Sequence, residues 1–163
     1  NLSARQFHQP QLPEVVRRVL QHIDVPAENF ELELTESMAM SDAHSALAAL
    51  QQLRDLGVKI SIDDFGTGYS SLAQLKRFPS YKLKIDQSFV RDLDKGEADK
   101  AMVNAMVRMA QAMGLRITAE GVETEAQLEF LRALGCDEAQ GYYFSRPKPA
   151  AEIEGFLLQR RPD

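Results

Sequence analysis

Five short stretches rich in apolar and β-branched residues recur along the chain: 30–34 (FELEL), 58–62 (VKISI), 82–86 (KLKID), 116–119 (RITA) and 138–144 (EAQGYYF). Their starts lie 22 to 34 residues apart, with an amphipathic segment in each interval. A tight hairpin cannot use that much chain, whereas a helix crossing back over a sheet does, so the spacing predicts parallel strands joined by helical crossovers.

The intervening segments read as helices. Residues 13–23 open on Pro13, carry Val15, Val16, Val19, Leu20 and Ile23 on one face, and are closed by Pro26. Residues 43–56 place Leu47, Leu50 and Leu53 inward and stop at Gly57. A short helix with Leu72, Leu75 and Phe78 is ended by Pro79, and a long one spans 98–113 with Met102, Val103, Met106, Val107, Ala110 and Met113. At that spacing the methionines read as core. Thr124 with Gln127 is a capping-box signature for a helix bearing Leu128, Leu131 and Leu134, and 150–158 forms a last amphipathic helix.

Two α/β architectures fit this alternation, an open doubly wound sheet or a TIM-like (β/α)8 barrel. No G-x-G-x-x-G turn follows any strand, as an open dinucleotide-binding sheet would require. Polar residues instead gather near the ends of many strands, where barrels carry their chemistry. The reading is a barrel with about six of its βα units in this chain, as one structural unit over residues 1–163.

The stretch 58–72 (VKISIDDFGTGYSSL) runs from a strand into Asp63 and Asp64 and then into a loop containing Gly66, Thr67 and Gly68. Adjacent strand residues point to opposite faces, so two carboxylates converge only at a kink, here expected from Gly66 and Gly68. Paired oxygen ligands suit Mg²⁺ or Mn²⁺. The plainer alternative is a turn whose aspartate caps a helix from Ser70 or Ser71.

Extending the same parity along the other strands collects Glu33, Asp63, Lys84 and Glu120, with Asn1 and Gln140 in equivalent places on flanking units. Buried without partners, each charge would cost several kcal/mol, so they are expected to meet one another, a metal or water at a barrel mouth. Each also has a structural alternative. Glu36 and Asp64 cap helices, Lys84 pairs with Asp86, and Glu123 stabilises a helix N-terminus. His8, His22 and His44 lack ligand spacing and read as structural or exposed. Tyr142, Tyr143 and Phe144 read as sheet packing, with one of them suited to stacking on a flat ring.

Charge and composition narrow the partners. With 19 Lys plus Arg against 24 Asp plus Glu, the net charge is −5 and no basic cluster exists, which argues against duplex nucleic acid. No apolar run approaches the roughly 20 residues of a membrane span. Cys136 alone forms no internal disulfide and fits a cytoplasmic location, with the full-length protein free to be membrane-anchored.

These residues resemble the EAL-type cyclic-di-GMP phosphodiesterases. The resemblance is carried by residues 1–6 (NLSARQ), 33–37 (ELTES), 62–72 (IDDFGTGYSSL), 83–86 (LKID), 119–123 (AEGVE) and 140–142 (QGY), and extends to Pro147. It implies a modified barrel with two Mg²⁺ or Mn²⁺ ions that hydrolyses cyclic di-GMP to linear pGpG. By likeness, Asn1, Glu33 and Asp63 hold one ion and Asp63 and Asp64 serve the other. Lys84 positions water and offsets phosphate charge, Glu120 acts as general base or indirect ligand, and Gln140 orients the water. Glu36 and Glu123, with Asp86, fix the Gly66–Thr67–Gly68 loop and the site. The resemblance also implies a homodimer through the loop and helix after Asp64, and an upstream sensor or GGDEF-type domain.

One departure stands out. The family's Glu-Ala-Leu motif and its neighbouring arginine do not occur in this chain. The expectation is therefore a C-terminal portion of the domain, of doubtful activity alone. The alternative functions are a catalytically inactive cyclic-di-GMP receptor and a dimerisation or regulatory module.

Overall fold

A computed structural model describes residues 1–41, 43–68 and 72–159. Among them, five parallel strands form one sheet in sequential order: β1 (Glu31–Thr35), β2 (Lys59–Phe65), β3 (Lys82–Ile85), β4 (Arg116–Ala119) and β5 (Glu138–Ala139). The Leu2 amide donates to the Glu33 carbonyl at 2.9 Å, so the first residues lie along the free edge of β1, beside the five paired strands.

The helices are α1 (Ala4–Phe7), α2 (Leu12–Ile23), α3 (Glu36–Ser41), α4 (Ala43–Asp55), α5 (Leu72–Leu75), α6 (Gln87–Arg91), α7 (Glu97–Ala112), α8 (Glu125–Leu134) and α9 (Ala150–Gln159). α8 begins where the sequence places it, with the Thr124 hydroxyl accepting from the Gln127 amide and the Gln127 side chain returning the bond. α1, α3 and α6 are too short to show a helical period, and only caps announce two of them: Ser3 with Gln6 for α1, Asp86 for α6.

The two faces of the sheet differ. Leu32, Leu34, Ile60, Ile62, Leu83, Ile85 and Ile117 are buried in the apolar core beneath α4 and α7. At about 1.5–3 kcal/mol for each fully buried aliphatic side chain, this face supplies the main drive to fold. The opposite parity is polar yet buried, with Ser61, Lys82, Lys84 and Thr118 shielded from solvent.

Three expectations change. Val15, Val19 and Ile23 are 48 %, 47 % and 50 % exposed, because α2 seats the stripe Leu12, Val16 and Leu20 and turns the neighbouring apolar stripe outward. Met102 likewise faces out from α7, while Val103, Met106, Val107 and Ala110 are buried. The last strand ends at Ala139 and not at Phe144. Beyond it Gly141 packs so closely on the Val122 peptide that a Cβ would lie 2.2 Å from the Val122 oxygen, and the chain turns there.

Candidate metal centre

The site is built at the C-terminal ends of the strands. On β2 the carboxylates converge through a β-bulge: Ile62 pairs with Leu83 and Phe65 with Ile85, three steps on one strand against two on the other. The extra residue is Asp64, whose φ of +56° is left-handed. The kink therefore lies in the acidic pair itself, and only one of the two glycines expected to make it, Gly66 with φ +101°, shares the left-handed conformation. A non-glycine residue there costs roughly 1–3 kcal/mol, and such strain concentrates where geometry serves a ligand.

Glu36, 1 % exposed at the start of α3, holds the following loop. Its Oε2 accepts from the Gly66 amide at 2.8 Å and the Gly68 amide at 3.2 Å. Gly68 approaches closely enough that a Cβ would sit 3.2 Å from the Glu36 carboxyl carbon, and a side chain there would press on this contact. Thr67 closes the turn, its hydroxyl donating to the Asp64 carbonyl at 2.8 Å. Tyr69, Ser70 and Ser71 lie outside the described residues, and with them the helix-capping alternative for the aspartates and part of the expected dimer-forming segment.

At the centre is Lys84, 5 % exposed. Its Nζ lies 2.8 Å from Glu120, 2.9 Å from Glu33 and 3.0 Å from Asp63. Burial works to lower its pKa, and the hydrogen bonds it donates to Glu120, Glu33 and Asp63 outweigh it, leaving the group more basic than usual. Its partners are thus three carboxylates from β1, β2 and the end of β4, and the expected pairing with Asp86 is replaced. Asp86 instead caps α6, accepting from the Ser88 amide at 2.9 Å.

Carboxylate oxygens of Asp63, Asp64 and Glu120 lie within 4.8 Å of one another. Burial raises the pKa of Asp64, assisted by the charges of Asp63 and Asp86. Burial also raises that of Glu120, against the pull of Lys84. Four carboxylates around one ammonium leave a surplus of negative charge in a partly dry site, and a divalent cation with oxygen ligands fits that donor set.

The remaining expected residues lie around this cluster with different roles. Asn1 is exposed, one residue before the Leu2 amide bonded to Glu33. Gln140 is exposed, its amide bonded to the Ala119 carbonyl at 2.9 Å, and it joins Glu120, Glu123, Gln87 and Tyr142 in lining a cleft of about 240 Å³. Glu123 is exposed, and its amide donates to the Gln127 side chain at the start of α8. Tyr142 and Tyr143 are 52 % and 40 % exposed and do not pack the sheet; the Arg146 guanidinium stacks 4.5 Å from the Tyr142 ring. His8 and His22 are exposed, as expected, and the His44 side chain lies outside the described set.

Sequence reasoning missed a second ionic layer below the first. Lys82 Nζ lies 2.9 Å from Glu31 and 2.7 Å from Glu138, whose carboxylate also accepts from the Thr118 hydroxyl at 2.9 Å. Stepping back two residues from Glu33, Lys84 and Gln140 along each strand would have found it.

Comparison with known proteins places this geometry. The EAL domain family model matches residues 1–147. The bifunctional diguanylate cyclase/cyclic di-GMP phosphodiesterase MucR of Pseudomonas aeruginosa is 50 % identical over 153 residues, which are 94 % of this chain and 22 % of MucR. The cyclic di-GMP phosphodiesterase NbdA of the same organism is 45 % identical over 163 residues, all of this chain and 21 % of NbdA. The chain thus spans about a fifth of the length of these relatives. A solved structure of the PaMucR phosphodiesterase with c-di-GMP superposes with a TM-score of 0.90 at 50 % identity, covering 94 % of this chain and 62 % of that one. The manganese/cyclic-di-GMP complex of Klebsiella pneumoniae BlrP1 gives 0.80 at 34 % identity, covering 87 % and 36 %. The curled five-stranded sheet corresponds to part of a TIM-like barrel, as expected, and by sequence, architecture and acidic centre the chain belongs to the EAL domain family.

Proposed function

We propose that this chain supplies most of the catalytic centre of a metal-dependent phosphodiesterase that hydrolyses cyclic di-GMP to linear pGpG, within a protein carrying further domains of the sensor or GGDEF type. The observation that carries the reading is the convergence of Asp63, Asp64 and Glu120 to within 4.8 Å beside the buried Lys84. Intact acidic and lysine positions favour catalysis over a receptor that only binds. Asn1, Glu33, Asp63 and Asp64 would hold two Mg²⁺ or Mn²⁺ ions. When bound, such ions supply Lewis acidity and charge neutralisation to a phosphodiester.

The chain's own groups divide the remaining work. Glu120, with its pKa raised by burial, is suited to accept the proton of the attacking water. Lys84 stays protonated throughout the physiological range and offsets phosphate charge. Gln140, at the wall of the cleft beside Glu120, orients the water by hydrogen bonding. Glu36 keeps the Gly66 to Gly68 backbone in place beneath the acidic pair. Glu123 closes the same cleft from the loop after Glu120. A second copy of the chain would meet this one through the loop and helix after Asp64.

The test is to incubate the full-length protein with cyclic di-GMP and Mg²⁺ and separate the products by chromatography. The expected result is pGpG, abolished by EDTA. Tight binding of cyclic di-GMP without product would replace this reading by the receptor one.

A further inference from the structure

We propose that Lys82 is a positioning residue for the metal centre above it, an inference that rests on the metal-binding reading of that centre. Lys82 precedes Lys84 by two residues, Glu31 precedes Glu33 by two, and Glu138 precedes Gln140 by two. Residues two apart along a strand share a face, so each member of the lower layer stands beneath a member of the upper one.

β3 is the middle of the sheet, and β1 and β5 are its two ends. One ammonium therefore ties both flanks to the centre, at 2.9 Å to Glu31 and 2.7 Å to Glu138. These bonds reach past β2 and β4, which requires the sheet to curl toward this face. β5 has only two residues of ladder, so the Glu138 carboxylate, held by Lys82, by Thr118 and by Arg116 at 3.4 Å, sets where Gln140 emerges.

An apolar layer of similar volume would hold the strands together at no loss of stability. What charged hydrogen bonds add is direction, which fixes the curl and with it the separation of Glu33 from Glu120 and Gln140. Lys82 does this without touching the acidic cluster, since its ion pairs among the described residues are with Glu31 and Glu138.

The test compares wild type, Lys82→Met and Lys82→Arg in the full-length protein. Mn²⁺ binding to the metal-free folded protein is measured by electron paramagnetic resonance, alongside steady-state turnover of cyclic di-GMP and a thermal melt. Lys82→Met is expected to weaken Mn²⁺ binding roughly tenfold, the lower end for groups that orient metal ligands from behind. It should lower kcat more than it raises KM, and Lys82→Arg should recover most of both. A purely structural role would lower the melting temperature and leave Mn²⁺ affinity of the folded protein unchanged; that result overturns the proposal. Should Lys82→Met fail to fold, Glu138→Gln gives the same reading, and unchanged affinity there overturns it equally. A wild type that binds Mn²⁺ but leaves cyclic di-GMP intact would defeat the proposed function, while the Mn²⁺ comparison would still decide the role of Lys82. A wild type that binds no Mn²⁺ defeats both.

Discussion

The two ionic layers inside the sheet use the same residue types to opposite ends. In the lower layer Lys82 lies between Glu31 and Glu138, and Arg116 reaches Glu138 and Asp137, so two cations face three carboxylates and charge is nearly balanced. In the upper layer Glu33, Asp63 and Glu120 surround a single Lys84, with Asp64 adjoining. Burial is comparable, with Lys82 and Lys84 exposed by only 8 % and 5 %. The contrast teaches that charge surplus, more than burial or polarity, separates a donor set suited to a cation from an internal brace. A balanced layer has no need of another ion; an unbalanced one is costly until an ion arrives.

The largest effect expected from this contrast is on turnover. Asp64→Asn and Glu120→Gln should each lower the rate of cyclic di-GMP hydrolysis by about a hundredfold or more, the usual range for removing a general base or its equivalent. Neither should lower the melting temperature, because each removes part of the repulsive surplus. A rate unchanged in both variants would erase the distinction between the layers.

Next comes the response to metal. Mn²⁺ at a hundredfold excess over its dissociation constant should stabilise the protein by about 2.7 kcal/mol, read as a shift in urea midpoint. Glu31→Gln, in the lower layer, should reduce that shift only by the part that positioning of the ligands supplies, whereas Asp63→Asn should abolish it. Equal losses would show that the lower layer does more than position the upper one.

Glu36 links the upper layer to its loop and gives a smaller effect. Glu36→Ala removes the carboxylate acceptor of the part-buried Gly66 and Gly68 amides, a loss of roughly 1.5–3 kcal/mol for hydrogen bonds to a charged group. A urea melt checks the stability, and Mn²⁺ titration checks whether the loop supports the acidic pair.

The dependence on pH sharpens the same point. Asp64 and Glu120 have folded pKa values above the ordinary carboxylate range, so they favour folding below that range and the benefit is lost as pH rises through the raised values. Metal-free protein should therefore lose stability across the mildly acidic window on going up in pH, and Mn²⁺ should flatten that slope. The lysines act in the same direction at alkaline pH: both pKa values are raised, so their contribution is intact below the ordinary ammonium value and is lost only as pH rises through the folded ones. Urea melts at a series of pH values, with and without Mn²⁺, measure both.

The smallest effect concerns Cys136, whose thiol burial pushes up to about 11. Iodoacetamide should label it slowly in native protein and readily in urea.

Much of this was legible in the sequence. The buried parity of Glu33, Asp63, Lys84 and Glu120 follows from counting in twos along apolar strands, and the Thr124 and Gln127 capping box fixed the start of α8. What stayed hidden depends on contacts between distant segments. Asp64 takes the left-handed backbone that glycine usually takes, because the bulge falls two residues before the first glycine. Lys82 finds Glu31 and Glu138 only because the sheet curls, a property of five strands together. The outward stripe of α2 was concealed because two adjacent apolar stripes on one helix give no hint of which is seated.

The close approach of Gly141 to Val122 has its own consequence for how this protein tolerates change. The segments bearing Glu120 and Gln140 touch backbone to backbone, bonded from the Val122 amide to the Gln140 carbonyl at 3.0 Å and from the Tyr143 amide to the Val122 carbonyl at 2.9 Å. An insertion or deletion in either loop would therefore shear both, and any viable length variant would have to alter the two together. Even alanine at position 141 would drive the segments apart, so this spot should resist the drift in sequence that surface turns ordinarily permit.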